Sequence, residues 1–279
     1  MKKLVYRLPE DKIELFAVEL NGYGFEIERE GNGMAKVILY AEDREERSLM
    51  EAVEEILKDI GAGEFVQEED IEEENWEEKW KEDIQPVVIE PFIILPEWEV
   101  YEGNEYIPIK IRIGKAFGTG LHPTTQLILQ LLKDYIKGGE TVLDIGTGTG
   151  ILAIASAKLG AKNVVAIDID KDAIDECKTN SWENSVKIEC KQGTPKDIQG
   201  KFDIVLANLE TRIFRDVLKD IVPLFNKYLI LSGIFKEKER DEILDMLKKH
   251  NLKVIKELSK EESEDKPDEK WFTFVVERA

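Results

Sequence analysis

Three glycines at alternate positions, Gly146, Gly148 and Gly150, stand between one acid, Asp144, and another, Asp168, about 20 residues further on. Glycine admits a tight turn and lets a ligand approach closely, because no Cβ stands in the way. A helix that opens directly after such a turn points its free amides at whatever the loop holds. An acid at the end of the next strand can accept from both hydroxyls of a ribose. Together these groups have the chemistry of a grip on a nucleotide. Gly148, Gly150 and Ala153 fit the G-x-G-x-x-A dinucleotide fingerprint, which suits a nicotinamide or flavin. Asp144, Gly146, Gly148 and Gly150 fit a different spacing, acid-x-Gly-x-Gly-x-Gly. A glycine turn that binds nothing is the third possibility.

The elements that must position these groups follow from hydrophobic pattern. Residues 142–145 form a short apolar run that predicts a buried parallel strand, 151–159 a helix stopped at Gly160, and 164–167 a second strand ending at Asp168. Beyond it, 171–180 reads as a helix, 185–190 as a strand, and 202–206 as a buried strand that runs into Ala207-Asn208-Leu209-Glu210. A helix at 213–225, a strand at 227–232 closed by Gly233, and a helix at 238–250 come next. Strands at 252–258 and 271–277, joined by the charged loop 259–270, end the chain. The fold class expected is α/β, a Rossmann-like doubly wound sheet carrying a terminal antiparallel hairpin, which dinucleotide-binding folds usually lack. Asn208 then falls at the carboxyl edge of the fourth core strand, where open sheets of this kind bind ligands.

A chain of 279 residues exceeds what one such sheet needs. Residues 1–60 predict a separate β-α-β-β-α unit: a strand at 4–8, a helix at 11–20, strands at 23–28 and 34–40 about a Gly31-Asn32-Gly33 turn, and a helix at 43–60. That order suggests a small α+β, ferredoxin-like recognition domain over 1–63. From 64 to 83 eleven acids stand against two lysines, read as a solvated linker helix over 64–85. Trp76 and Trp80, four apart on one face of it, are expected to pack on the following domain at 86–279. Residues 86–95 and 107–113 predict short strands extending that domain.

The net charge of −20 argues against bare nucleic acid as a partner and favours a basic protein. Two cysteines without metal-ligand spacing, and only His122 and His250 as histidines, give no basis for a metal site. No apolar run reaches a membrane span and the first residues lack a signal-like core, so a soluble, cytoplasmic protein is expected.

Residues 115–125, KAFGTGLHPTT, place a second glycine turn and a helix start, with Pro123 in its first turn, shortly before the nucleotide strand. The segment AFGTGLHPTT, followed by DIGTGTGILAIASAKLGA and AIDID, resembles the bacterial methyltransferase family that modifies ribosomal protein eleven of the large subunit. The likeness extends through Trp76–Trp80 and the N-terminal unit. It implies a class I methyltransferase fold, S-adenosyl-L-methionine as cofactor, and a basic ribosomal protein as substrate, methylated at lysine and possibly N-terminal amines. It also implies Thr125, Gly146, Gly148, Asp168 and Asn208 as cofactor contacts; the place of Asn208 at the carboxyl edge of its strand makes it the candidate to orient the acceptor amine as well. Thr119 and His122 are further candidates from the same segment, His122 as a structural hydrogen-bonder rather than a base. The chain departs from the family in two places. Leu209-Glu210-Thr211-Arg212-Ile213 replaces Ile-Leu-Ala-x-Pro after the asparagine, and Arg112-Ile113-Gly114 replaces Asp-Pro-Gly before the glycine turn. Another protein or a small amine as acceptor, or a regulator that binds the cofactor without turnover, therefore stay open.

Overall fold

Strands apolar at every position need cover on both faces, whereas strands that alternate need it on one. Both kinds occur here, in different parts of the chain. The computed structural model describes residues 2–13, 15–16, 20, 25–30, 33–41, 46–70, 85–112, 122–262 and 269–279. They fall into two units, Met1–Ile84 and Gln85–Ala279.

In the first unit, β1 (Lys2–Pro9), β2 (Phe25–Arg29), β3 (Met34–Ala41) and β4 (Glu64–Asp70) form an antiparallel sheet in the order β2-β3-β1-β4, with α1 at Glu46–Ile60. Alternate residues Leu4, Tyr6 and Leu8 of β1, with Val37 and Leu39 of β3, share a core with Leu49, Val53 and Leu57 of α1. A 3-10 turn at Glu10–Lys12 begins where a helix over 11–20 was expected, and several residues of that stretch lie outside the described residues. The expected linker helix is corrected over its first seven residues, because Glu64–Asp70 is a strand paired along β1. Cross-strand charge accompanies that pairing: Lys2 meets Glu68 and Asp70, and Lys3 meets Glu69 at 3.6 Å. Phe65 adds an edge-on ring contact to Tyr6 at 5.3 Å. An acidic run looks like a solvated helix when its basic partners stand some sixty residues away. Trp76 and Trp80 lie outside the described residues.

The second unit opens with a small sheet of β5 (Val87–Ile89), β6 (Phe92–Pro96) and β7 (Ile107–Ile111). Then come α2 (Pro123–Tyr135), β8 (Thr141–Ile145), α3 (Ile151–Lys158), β9 (Asn163–Asp168), α4 (Lys171–Glu183) and β10 (Glu189–Gln192). The chain ends with β11 (Phe202–Asn208), α5 (Thr211–Ile221), β12 (Phe225–Phe235), α6 (Lys236–Lys249), β13 (Leu252–Glu261) and β14 (Lys270–Arg278). The large sheet runs β10-β9-β8-β11-β12-β14-β13, parallel from β10 to β12, with β14 antiparallel to both neighbours. The expected α/β sheet with its terminal antiparallel hairpin is therefore present. The strand expected at 185–190 starts later, at Glu189, because α4 ends in a reversal. Ser185 takes φ +54°, and the Val186 amide donates back to the Ser181 carbonyl at 3.1 Å.

Successive residues of the central strands face opposite cores. Val142, Ile204 and Leu206 join α2 and α3 on one side, while Leu143, Val205 and Ala207 join α5 and α6 on the other. Strand order reverses between β8 and β11, so their carboxyl ends open a crevice. At the opposite end of the strands Asp203 sets register. Its Oδ2 accepts from the Thr141 amide (2.9 Å) and hydroxyl (3.1 Å), its amide donates to Thr141 Oγ1 (2.9 Å), and Lys227 of β12 pairs with Oδ1 at 3.1 Å. The Thr141 amide is the main reason its carboxyl titrates below the usual aspartate range. Asp203→Ala is expected to lower stability by about 1–3 kcal/mol in thermal unfolding followed by circular dichroism. Because the folded value is depressed, the loss should be full above about pH 4 and fade as pH falls through that depressed value.

Candidate active site

The crevice is a cavity of ≈ 590 Å³ above the carboxyl ends of β8, β9, β11 and β12, a size suited to a drug- or cofactor-sized ligand. Gly146 and Gly148 form one wall, at φ +70° and +54°. A Cβ built on Gly146 would lie 2.4 Å from Leu209 Cδ2, so the side chain following Asn208 fills the space that the glycine leaves. On the other side Gly233 takes φ +88°, and a Cβ there would lie 2.3 Å from the Leu209 carbonyl oxygen. Leu209 is thus seated between two glycines, and its amide donates to the Ser232 carbonyl at 3.1 Å.

Asp168 ends β9 and ties the loop to it. Its Oδ2 accepts from the Gly148 amide and its Oδ1 from the Asp170 amide, both at 3.0 Å. A carboxylate has about four acceptor positions, so capacity remains for hydroxyls of a ligand. Beneath the loop Asp144 is wholly buried and accepts from Thr147 Oγ1 at 2.6 Å. Burial pushes its carboxyl up to about 7, the Thr147 hydroxyl opposes this, and the charge of Asp168 adds to it.

The third wall comes from the start of α2. His122 is its N-cap, and Nδ1 accepts from the Thr124 amide at 3.3 Å with Thr124 Oγ1 at 2.8 Å. Accepting at Nδ1 requires a lone pair there, so the cap needs the ring neutral with its proton on Nε2. Burial lowers the ring's pKa, consistent with that form, although Glu262 opposes it. Trp271 of β14 crosses His122 edge-on at 4.7 Å and is held by Phe235 at 4.6 Å and by an indole hydrogen bond to Glu262. The Ser232 hydroxyl meets Thr273 Oγ1 at 2.7 Å and lies 3.4 Å from the Thr124 carbonyl, so α2 is tied to β12 and β14.

The sequence profile described as "Ribosomal protein L11 methyltransferase (PrmA)" matches residues 18–273. The chain belongs to this family. A ribosomal protein L11 methyltransferase of Aquifex aeolicus is 48% identical over 198 residues, 71% of this chain and 74% of that one. One from Clostridium perfringens is 39% identical over 233 residues, 81% and 72% of the two chains. The solved ribosomal protein L11 methylase of Lactobacillus delbrueckii subsp. bulgaricus superposes with a TM-score of 0.60 at 28% identity, covering 70% of this chain and 99% of that one.

Of the residues that the family resemblance singles out, Gly146, Gly148, Asp168 and Asn208 line one cavity, as does His122. Thr125 does not line it. It is 1% exposed, and its hydroxyl accepts from Asn208 Nδ2 at 3.4 Å, while its neighbour Thr124 is the cavity residue. Thr119 lies outside the described residues. Sequence reasoning missed Thr124, Leu209, Trp271 and Gly193–Pro195 as cavity walls. Trp271 carried no signal beyond a strand pattern; the glycine just past β10 was the one available hint for Gly193. Glu210 does reach the rim, exposed and paired with Arg212 at 2.5 Å. Among the described residues no group of His, Cys, Asp or Glu could hold a metal ion, and no helix is long and apolar enough to cross a membrane.

Leu209's seat makes a specific demand on Gly233. Gly233→Ala should lose on the order of 3 kcal/mol in denaturant unfolding, since backbone must shift. Gly200 has φ +90° but open space at its Cβ, so Gly200→Ala should lose only roughly 1–2 kcal/mol. Equal losses would mean that the Leu209 contact carries no weight.

Proposed function

We propose that the chain transfers methyl groups from S-adenosyl-L-methionine to lysine ε-amines, and to an N-terminal α-amine, of ribosomal protein L11. The observation that carries this reading is the convergence of the glycine loop, the Asp168 carboxylate and Asn208 on one cavity, in a member of the L11 methyltransferase family. The residues fit the cofactor: the loop turns at positive φ, and Asp168 offers acceptors for a ribose diol at its edge. Gly146 and Gly148 would take the methionine end and Asp168 the ribose. When bound, the cofactor supplies a methyl group on a positively charged sulfur, so the departing group needs no acid.

The chain's own task is the amine. A lysine has a pKa of about 10.4, so about one in 2,500 is neutral at pH 7. The apolar walls Leu209, Ile213, Val217 and Trp271 favour the neutral form by desolvation. Asn208 Nδ2 is committed to Thr125, which leaves Oδ1 to accept an amine N–H and aim the lone pair; positioning of this kind supplies much of such a rate. His122, neutral with Nδ1 occupied as a cap, acts as a wall and not as a base. Thr125 then serves by holding Asn208.

The sheet order β2-β3-β1-β4 of the first unit supports a ferredoxin-like, substrate-recognising domain that extends past the expected residue 63 through β4 to residue 70, with residues 71–85 as the remaining linker to a methyltransferase domain at 86–279. A cytoplasmic enzyme without metal or nucleic acid is the setting that fits. Glu210 at the rim favours one second reading, a different cationic amine as acceptor.

Labelled S-adenosylmethionine incubated with the enzyme and purified L11 should label lysines, and Asn208→Ala should lower kcat about a hundredfold with little change in cofactor KM. Label on other proteins but not on L11 would favour the second reading. Undiminished turnover in Asn208→Ala would remove the role given to that side chain.

A further inference from the structure

Helix α4 and its C-cap carry two asparagines four residues apart, Asn180 and Asn184, that are buried at 1% and 8% exposure. Asn184 Oδ1 accepts from the Lys110 amide at 2.9 Å, and its Nδ2 donates to the Lys110 carbonyl at 2.6 Å. Asn180 Oδ1 accepts from the Arg112 amide at 2.9 Å. Lys110 and Arg112 face the same way along β7, on the edge turned from β6. Four residues of helix rise about 6.0 Å and two residues of strand about 6.6 Å. That match lets two side chains stand in for a neighbouring strand on the open edge of β7.

The two asparagines differ in one respect. Asn184 holds Lys110 through both Oδ1 and Nδ2 and, within its own segment, donates from Nδ2 to the Asn180 carbonyl at 2.8 Å, whereas Asn180 Nδ2 donates to the Thr149 carbonyl of the glycine loop at 2.8 Å. A single buried amide therefore joins the cofactor-facing loop to Arg112, just past the end of β7. The packing around it has no slack, since a Cβ on Gly150 would lie 2.9 Å from Cys177 Sγ, on the same helix as Asn180.

We propose that Asn180 is a positioning residue for the methyl donor, holding the glycine loop in register with Arg112 just past β7 and so setting cofactor affinity. The proposal rests on the reading of the cavity as an S-adenosylmethionine site. Asn180→Asp and Asn184→Asp are paired probes: each keeps an acceptor and loses a donor, turning an oxygen toward the Thr149 carbonyl in the first and toward the Lys110 and Asn180 carbonyls in the second. A purely structural role predicts equal effects. Calorimetry with S-adenosylhomocysteine should show Kd raised about tenfold in Asn180→Asp and almost unchanged in Asn184→Asp. In turnover the Asn180 variant should show a raised cofactor KM with kcat preserved at saturation. Equal Kd changes in the two variants, or none in Asn180→Asp, would overturn the proposal. Failure of the unmodified protein to bind would instead sink the cofactor reading, and the proposal with it. If Asn180→Asp does not fold, amide exchange in the unmodified protein decides: S-adenosylhomocysteine should slow the Arg112 amide, and an unchanged rate would count against the link.

Discussion

Two close approaches shape the cavity: past β8 the Leu209 side chain takes the space beside Gly146, and at β12 the Leu209 backbone passes against Gly233. Leu209 passes between Gly146 and Gly233, so close that a methyl group on either would collide with it. That approach turns the chain off β11 just past Asn208 and leaves the asparagine at the rim. A side chain at Gly233 would force the Leu209 backbone aside, and Asn208 with it, whereas one at Gly146 would push on the Leu209 side chain alone. Everything chemical about the site is downstream of this steric allowance.

A polar frame converts the allowance into a fixed shape. Asp168 binds the loop from β9, the cap of His122 fixes the start of α2, and Ser232 and Thr273 join α2 to the far strands. Asp144 is the expensive member, a carboxylate without access to water and with its titration moved to about 7. Raised above its unfolded value, it makes the fold progressively less stable as pH climbs from about 4 to 7. Both this burden and the constrained glycine loop lie at the ends of β8 and β9, on one side of the cavity.

Much of this was legible in the sequence, for identifiable reasons. The core strands announce themselves as continuous apolar runs because both faces are covered, and Asp168 and Asn208 are marked by standing where such runs end. What the sequence hid depends on partners distant along the chain. Glu64–Asp70 looks like a solvated helix until Lys2 and Lys3 are set beside it. Thr124 and Thr125 are indistinguishable as letters, and the register of a capped helix decides that one faces the cavity while the other holds Asn208. Trp271 reaches the site because β14 inserts beside β12, a pairing that no local pattern specifies.

The central claim is geometric: the loop at Gly146–Gly148 and the carboxylate of Asp168 grip a sulfonium cofactor so that its reactive group faces Asn208. A crystal structure of the protein with S-adenosylhomocysteine measures this directly. It should show the ribose hydroxyls on Asp168 and the sulfur turned toward Asn208. A ribose lodged away from Asp168, or a ligand excluded by Leu209 and Trp271, would contradict it.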